Sequence, residues 1–199
     1  FGNVWYHLGL CRLEQEDLPG AVTAFIRCHT DYANREDGDG GNQFETAARI
    51  RHAEIEQARG RYPSAIRLHA SALRQLPAGP LRDQILAQLA VCLHETGDLE
   101  RTARICRTLL EAAGTEPALK RLAALQTCRI AVEQNDLQQA RATLKKHPGL
   151  AAAPVLERAA WTRLLLHIGR RCTLLDDPEL ALRFFDLAVS GIGARSAWG

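Results

Sequence analysis

The feature that most constrains this chain is an internal repeat. A spacing of small residues recurs five times along its 199 residues. Gly9, Ala53, Ala90, Cys128 and Gly169 form a first column, and twelve residues after each comes Ala21, Ala65, Thr102, Ala140 and Ala181. Seven further on stand Cys28, Ala72, Leu109, His147 and Ala188, a column that frays at Leu109 and His147. Small residues at these intervals let two helices approach closely, and a fixed period means that each unit buries its apolar face against its neighbours rather than alone. Between the first two columns lie Glu16, Gly60, Gly97, Asn135 and Asp176, followed by Asp17, Arg61, Asp98, Asp136 and Asp177. Gly and Asn accept the left-handed conformation that ends a helix, and an Asp after it caps the next helix. Pro19, Pro63 and Pro178 fall in the first turn of the second helix, where a missing N–H costs nothing. Each unit therefore reads helix, tight turn, helix.

The opening segment, Trp5-x2-Leu8-Gly9-x2-Arg12 followed by Ala21-x3-Phe25-x2-Cys28, resembles the tetratricopeptide repeat pattern, with Arg12 in place of its Tyr. The resemblance extends over nearly the whole chain and implies an all-α, right-handed superhelix of about five helix pairs. Units are expected near 2–35, 46–79, 83–116, 121–154 and 162–195, forming a single array over 1–199. Their helices are expected near 3–16, 18–32, 44–59, 62–76, 81–96, 98–113, 117–134, 136–147, 154–175 and 177–191. The first column advances by 44, 37, 38 and 41 residues, longer than the roughly 34 of a minimal repeat. The surplus belongs between units, and the polar stretch 34–45 is expected to be a loop. Repeats with such uneven linkers also look like the sensor regions of large bacterial transcription regulators of the maltose-activator type, a likeness of spacing alone.

Charge narrows the function classes. Twenty-five Lys and Arg against 23 Asp and Glu are dispersed along the chain, which does not favour nucleic acid. No stretch has the length and apolarity of a membrane span, and the start has neither the basic residues nor the cleavage site of a secretory signal. A chain that opens on Phe1 and contains no Met is expected to be a fragment of a longer protein, and a cytoplasmic location is expected.

Six cysteines without a C-x2-C pair suggest buried structural thiols in a reducing compartment rather than disulfides or zinc. Cys28 and Cys128 occupy small columns, Cys106 the column of Phe25, and Cys11 and Cys92 follow Gly9 and Ala90 on the same helices. The segment Asp37–Asn42 has the look of a calcium loop, yet the sixth and twelfth places hold Asn42 and Ala48 instead of Gly and Glu. Cys92 and His94 are two apart on a helix and point to different faces. No metal, cofactor or catalytic motif is found, and the chain is expected not to be an enzyme.

What the resemblance implies is a binding face. In tetratricopeptide arrays the first helices of the units line the inner, concave surface. Superposed on this sequence, that face carries Tyr6 and His7 beside Asn3 and Leu10, then Arg51 and Glu54 beside Ile50 and Gln57. The third unit supplies Gln88 and His94 with Gln84 and Val91, and the last two Arg129, Arg163, His167 and Arg170 with Leu125, Gln126 and Leu166. Arg129, Arg163 and Arg170, unmatched by any acid among the inner positions of those last two units, imply an acidic protein or peptide partner; the competing reading is a solvated face, or pairing of Arg with Glu133. The carboxylate clamp that grips chaperone C-termini is absent, because its places hold Tyr6, Leu10, Arg51, Gln84 and Gln88. The leading expectation is a non-catalytic peptide-binding scaffold, the alternative an effector-sensing region of a larger regulator. The fifth unit ends on an apolar helix without a polar capping helix after it, so self-association or contact with further repeats is expected there.

Overall fold

The computed structural model describes residues 2–31, 41–147, 150 and 158–193. Among them are ten α-helices and no strand. They are α1 (Gly2–Glu14), α2 (Leu18–Asp31), α3 (Gly41–Ala58), α4 (Tyr62–Gln75), α5 (Pro80–Glu95), α6 (Leu99–Glu111), α7 (Pro117–Glu133), α8 (Leu137–Lys146), α9 (Arg158–Leu174) and α10 (Pro178–Gly193). They gather into two compact units, Phe1–Asp98 and Leu99–Gly199.

All five intra-pair turns have one geometry, and it comes from the repeat. Glu16, Gly60, Gly97, Asn135 and Asp176 each take a positive φ of 59° to 80°. Each donates its N–H to a carbonyl three residues back, as Gly97 does to His94, and the next residue donates to a carbonyl five back, as Asp98 does to Leu93 at 2.9 Å. This double closure satisfies carbonyls left open at a helix end. It holds Glu16 and Asp176 in a conformation that costs residues other than Gly roughly 1–2 kcal/mol. The Asp that follows then starts the second helix: Asp17, Asp136 and Asp177 each accept an N–H bond three residues on, at 2.9, 2.9 and 3.0 Å.

Helix approach at the small column is complemented by bulk sixteen residues later. A Cβ at Gly9 would run into the Phe25 ring, and one at Gly169 into the Phe185 ring. The same register puts His69 in the ring slot of α4, opposite Ala53 in sequence register. In the first unit Ala21, Phe25 and Cys28 of α2 pack with Ala48 and Ile55 of α3, flanked by Trp5, Tyr6, Leu10, Leu13, Val22 and Phe44. Burying a Phe of this kind contributes roughly 2–3 kcal/mol. Arg82 of α5 donates to the carbonyls of Leu73 and Leu76 at 2.6 and 2.8 Å, tying one pair's first helix to the open end of the preceding pair's second. In the second unit α7 is buried along most of its length, and Leu165, Ile168 and Cys172 of α9 meet a core that includes Leu180 and Phe184 of α10.

Two expectations change. The stretch 34–45 is not a loop to its end, because α3 starts at Gly41 and Glu45 is buried and paired with Arg49 one turn on. A carboxylate read as part of a polar linker is thus a helix residue satisfied by its i+4 cation. Residues 34–40, including most of the calcium-like segment, lie outside the described residues, as do 194–199 with Trp198. The other change is at Cys11, which is exposed; Cys28, Cys92, Cys106, Cys128 and Cys172 are buried and all six are free. Cys11 lies on the face of α1 that no described helix covers.

Candidate functional site

In the first unit the residues expected on the inner face lie on α1, α3 and α5, and several of their side chains are joined to one another. Tyr6 is half-buried, with ring centroids 6.0 Å from Phe25, 5.8 Å from Phe44 and 5.6 Å from exposed His7. His7 lies 6.1 Å from Phe44. Exposed Arg51 donates to Glu54 at 2.8 Å, and this bond, with a weaker one to the Tyr6 hydroxyl, holds the guanidinium above its ordinary pKa. Gln57 of α3 donates to Gln88 of α5 at 3.0 Å, while its carbonyl accepts from Cys92 Sγ at 3.3 Å. The result is a strip of aromatic edges, one neutralised cation and oriented amides on rigid helices. Phe44 was not among the expected inner residues; it belongs to the surplus between units, where the repeat register has no column.

His94 is the exception. It is only 6% exposed and so does not line an open face, although its register placed it there. It sits in the last turn of α5, where helix packing covers the ring.

In the second unit the expected residues lie on α7 and α9. Arg163, His167 and Arg170 are exposed at i, i+4 and i+7 of α9, one continuous stripe about 10 Å long. Arg129 on α7 donates to Glu133 at 3.2 Å, and His167 Nε2 stands 4.0 Å from the same carboxylate. Arg129 is therefore matched, by the acid that the competing reading named. Glu133 ties α7 to α9. Arg170 has no carboxylate partner among the described residues.

The chemistry available is recognition. Among the described residues no group of three or more His, Cys, Asp or Glu is placed to hold a metal ion. Burial pushes the thiols of Cys28 and Cys172 up to about 11 and those of Cys92, Cys106 and Cys128 to about 12, which keeps them protonated and un-nucleophilic. His29 Nε2 and His52 Nδ1 lie 3.4 Å apart with stacked rings, an inter-pair contact between α2 and α3. Burial first, then the neighbouring His52 and Arg49, lowers His29 to about 4. That pair went unnoticed in the sequence, although both positions sit beside the small columns. The second unit also has cavities between its helices. One of about 580 Å³ lies between α8 and α10, with Leu144, Leu150 and Leu187 among Arg141, Lys145 and Arg183. Another, about 530 Å³, is lined by α6, α7 and α8. No helix among the described residues is long and apolar enough to cross a membrane.

Comparison with known proteins agrees with this architecture. Residues 57–126 match the family model of the tetratricopeptide repeat. No curated protein matches the sequence. A crystal structure of MamA protein is similar with a TM-score of 0.67 at 10% identity, over 99% of this chain and 94% of that one. BtubC (BKLC) from P. vanneervenii gives a TM-score of 0.69 at 15% identity, over 96% and 80%. YrrB, described as a tetratricopeptide protein with an unusual peptide-binding site, gives 0.56 at 12% identity, over 96% and 87%. The helix pairs read from the small-residue columns have the fold of such repeat proteins, and residues 57–126 match the tetratricopeptide model in sequence.

Proposed function

We propose that these tetratricopeptide-type helix pairs form a non-catalytic scaffold that binds a protein or peptide segment along the faces of its first helices, with preference for an acidic segment on α7 and α9. The observation that carries the preference is the exposed Arg163–His167–Arg170 stripe of α9, whose Arg170 has no carboxylate partner among the described residues, set beside Arg129 and His167 at Glu133. Guanidinium groups on a rigid helix grip carboxylates with two hydrogen bonds at little ordering cost. The strip of Tyr6, His7, Arg51, Glu54 and Gln88 in the first unit supplies neutral and aromatic contacts for peptide backbone. The buried thiols favour a reducing, cytoplasmic setting.

The test is anisotropy of a fluorescein-labelled hexaglutamate peptide against hexalysine. Binding of the acidic peptide that weakens with salt, and by roughly tenfold on Arg170→Ala, supports the reading. Equal binding of hexalysine, or indifference to Arg170→Ala, overturns it. A second reading is the effector-sensing region of a larger regulator, favoured by the α8–α10 cavity, whose volume falls in the range of roughly 300–1,000 Å³ typical of small-molecule sites. A small ligand that raises the melting temperature and is displaced by Leu187→Trp would establish it.

A further inference from the structure

The third small-residue column marks where second helices bury themselves. Cys28, Ala72, Leu109 and Ala188 are all buried there. The remaining member, His147, falls just past the end of its helix, because α8 runs 10 residues against 14, 14, 13 and 16 for the other second helices and stops at Lys146. His147 is the C-cap, its N–H donating to the Thr143 carbonyl at 3.1 Å, and the residue is only half-buried, at a cavity of about 530 Å³. This cavity is walled by α6 and α8 with α7 between them, all in the second unit and away from both ends of the sequence.

Its chemistry is of two kinds. Ile130 of α7 is buried at the cavity, and Leu99, Ala103 and Leu110 of α6 extend an apolar lining up one wall. The rim is charged. Arg104 is engaged by Glu100 at 2.7 Å. Arg107 on α6 and Lys146 on α8 line the cavity from opposite walls, and neither has a carboxylate partner among the described residues. Glu111 is the other acid in the described lining, while Lys120 and Lys146 both lie close enough to His147 to oppose its protonation, after the larger effect of burial. Gln134 and Gln139 add amide groups. A volume of this size is in the range of small-molecule sites.

We propose that the cavity between α6, α7 and α8 binds a small organic anion, its apolar body against Ile130 and Leu110 and its anionic group between Arg107 and Lys146. The apolar body is stabilised by leaving water, and the anionic group gains charge-assisted hydrogen bonds from two helices. A neutral ligand would leave both cations without a counter-charge. An inorganic anion would leave the apolar lining wet.

Fluorescence titration of the full chain with anilinonaphthalene sulfonate tests this, with phenylnaphthylamine as the uncharged form of the same ring system. The sulfonate is expected to bind saturably at one site and the neutral amine roughly tenfold more weakly. Arg107→Gln and Lys146→Gln alter exposed residues, so circular dichroism is expected to stay unchanged. Each is expected to weaken the sulfonate roughly tenfold and to leave the amine as it was. Ala103→Trp fills the cavity and is expected to abolish binding of both dyes. Leu187→Trp, in the cavity between α8 and α10, is expected to change neither. Absence of saturable sulfonate binding, equal affinity for the two dyes, or indifference to both charge substitutions overturns the proposal. So does loss of sulfonate binding on Leu187→Trp with the helical signal intact. Hexaglutamate binding is read through Arg170 of α9, which is not part of this lining, so its outcome is independent of this one.

Discussion

Replacing His69 by Leu isolates one cost built into the first unit. His69 sits in the ring slot of α4, 0% exposed, and neither ring nitrogen has a hydrogen-bond partner among the described residues. A buried polar group left unpaired costs roughly 1–3 kcal/mol, and Leu fills a similar volume without that cost. Leu144 already occupies this column on α8, so the slot accepts the shape. His69→Leu is expected to raise the urea midpoint at neutral pH.

The larger signature is in the pH dependence. Burial lowers the His69 pKa from 6.5 to about 4. The unfolded chain takes up a proton at His69 as pH falls through about 6.5, whereas the folded chain refuses it until about pH 4. Stability from this residue is fully present above pH 6.5 and is lost as pH falls toward 4, by about 3 kcal/mol at 1.36 kcal/mol per pKa unit. His29, lowered to about 4, and His52 also lose stability on acidification, so the variant keeps part of the decline. Urea unfolding followed by helical circular dichroism at about pH 7.5 and about pH 4.5 separates the terms. The Leu variant's advantage is expected to widen by roughly 2–3 kcal/mol at the lower pH. Parallel decline of variant and wild type, or a lower midpoint for Leu at neutral pH, refutes the reasoning.

Other substitutions probe the repeat itself. Gly9→Ala drives a methyl into the Phe25 ring and is expected to cost roughly 1–3 kcal/mol by urea unfolding, with Gly169→Ala similar through Phe185. Gly97→Ala meets no atom within 4 Å, so its cost, about 1 kcal/mol, comes from φ of +80° alone; Asp176→Gly, at φ +59°, is expected to gain a comparable amount. Glu133→Gln removes the carboxylate shared by Arg129 and His167 and is expected to tighten hexaglutamate binding severalfold, opposite in sign to Arg170→Ala in the same titration. Native thiol titration is expected to return one fast group, Cys11, with the other five reacting only in denaturant.

The helix pairs were legible because their determinants are local or periodic. The turns at Glu16, Gly60, Gly97, Asn135 and Asp176 depend on five or six consecutive residues, and the close approach at Gly9 on a partner sixteen residues away at constant spacing. Arg51 and Glu54 were legible as neighbours for the same reason, being three apart on one helix. Glu45 was misread as linker because the region between units obeys no column, and only the helix formed there brought it within reach of Arg49.

What the sequence alone determined is the unit: which residues are small, where each helix ends, and which face each helix buries. Tertiary structure decided the condition of each inner polar group. That Glu133 serves both Arg129 and His167, that Gln57 reaches Gln88, that His94 is covered and Cys11 is not, depend on contacts between helices thirty or more residues apart or on the presence of a neighbouring helix. Periodicity assigns a residue to a face. Whether that face meets water, a carboxylate or another helix is set by packing, and the strength of a charge or the availability of a thiol follows from that environment rather than from residue type.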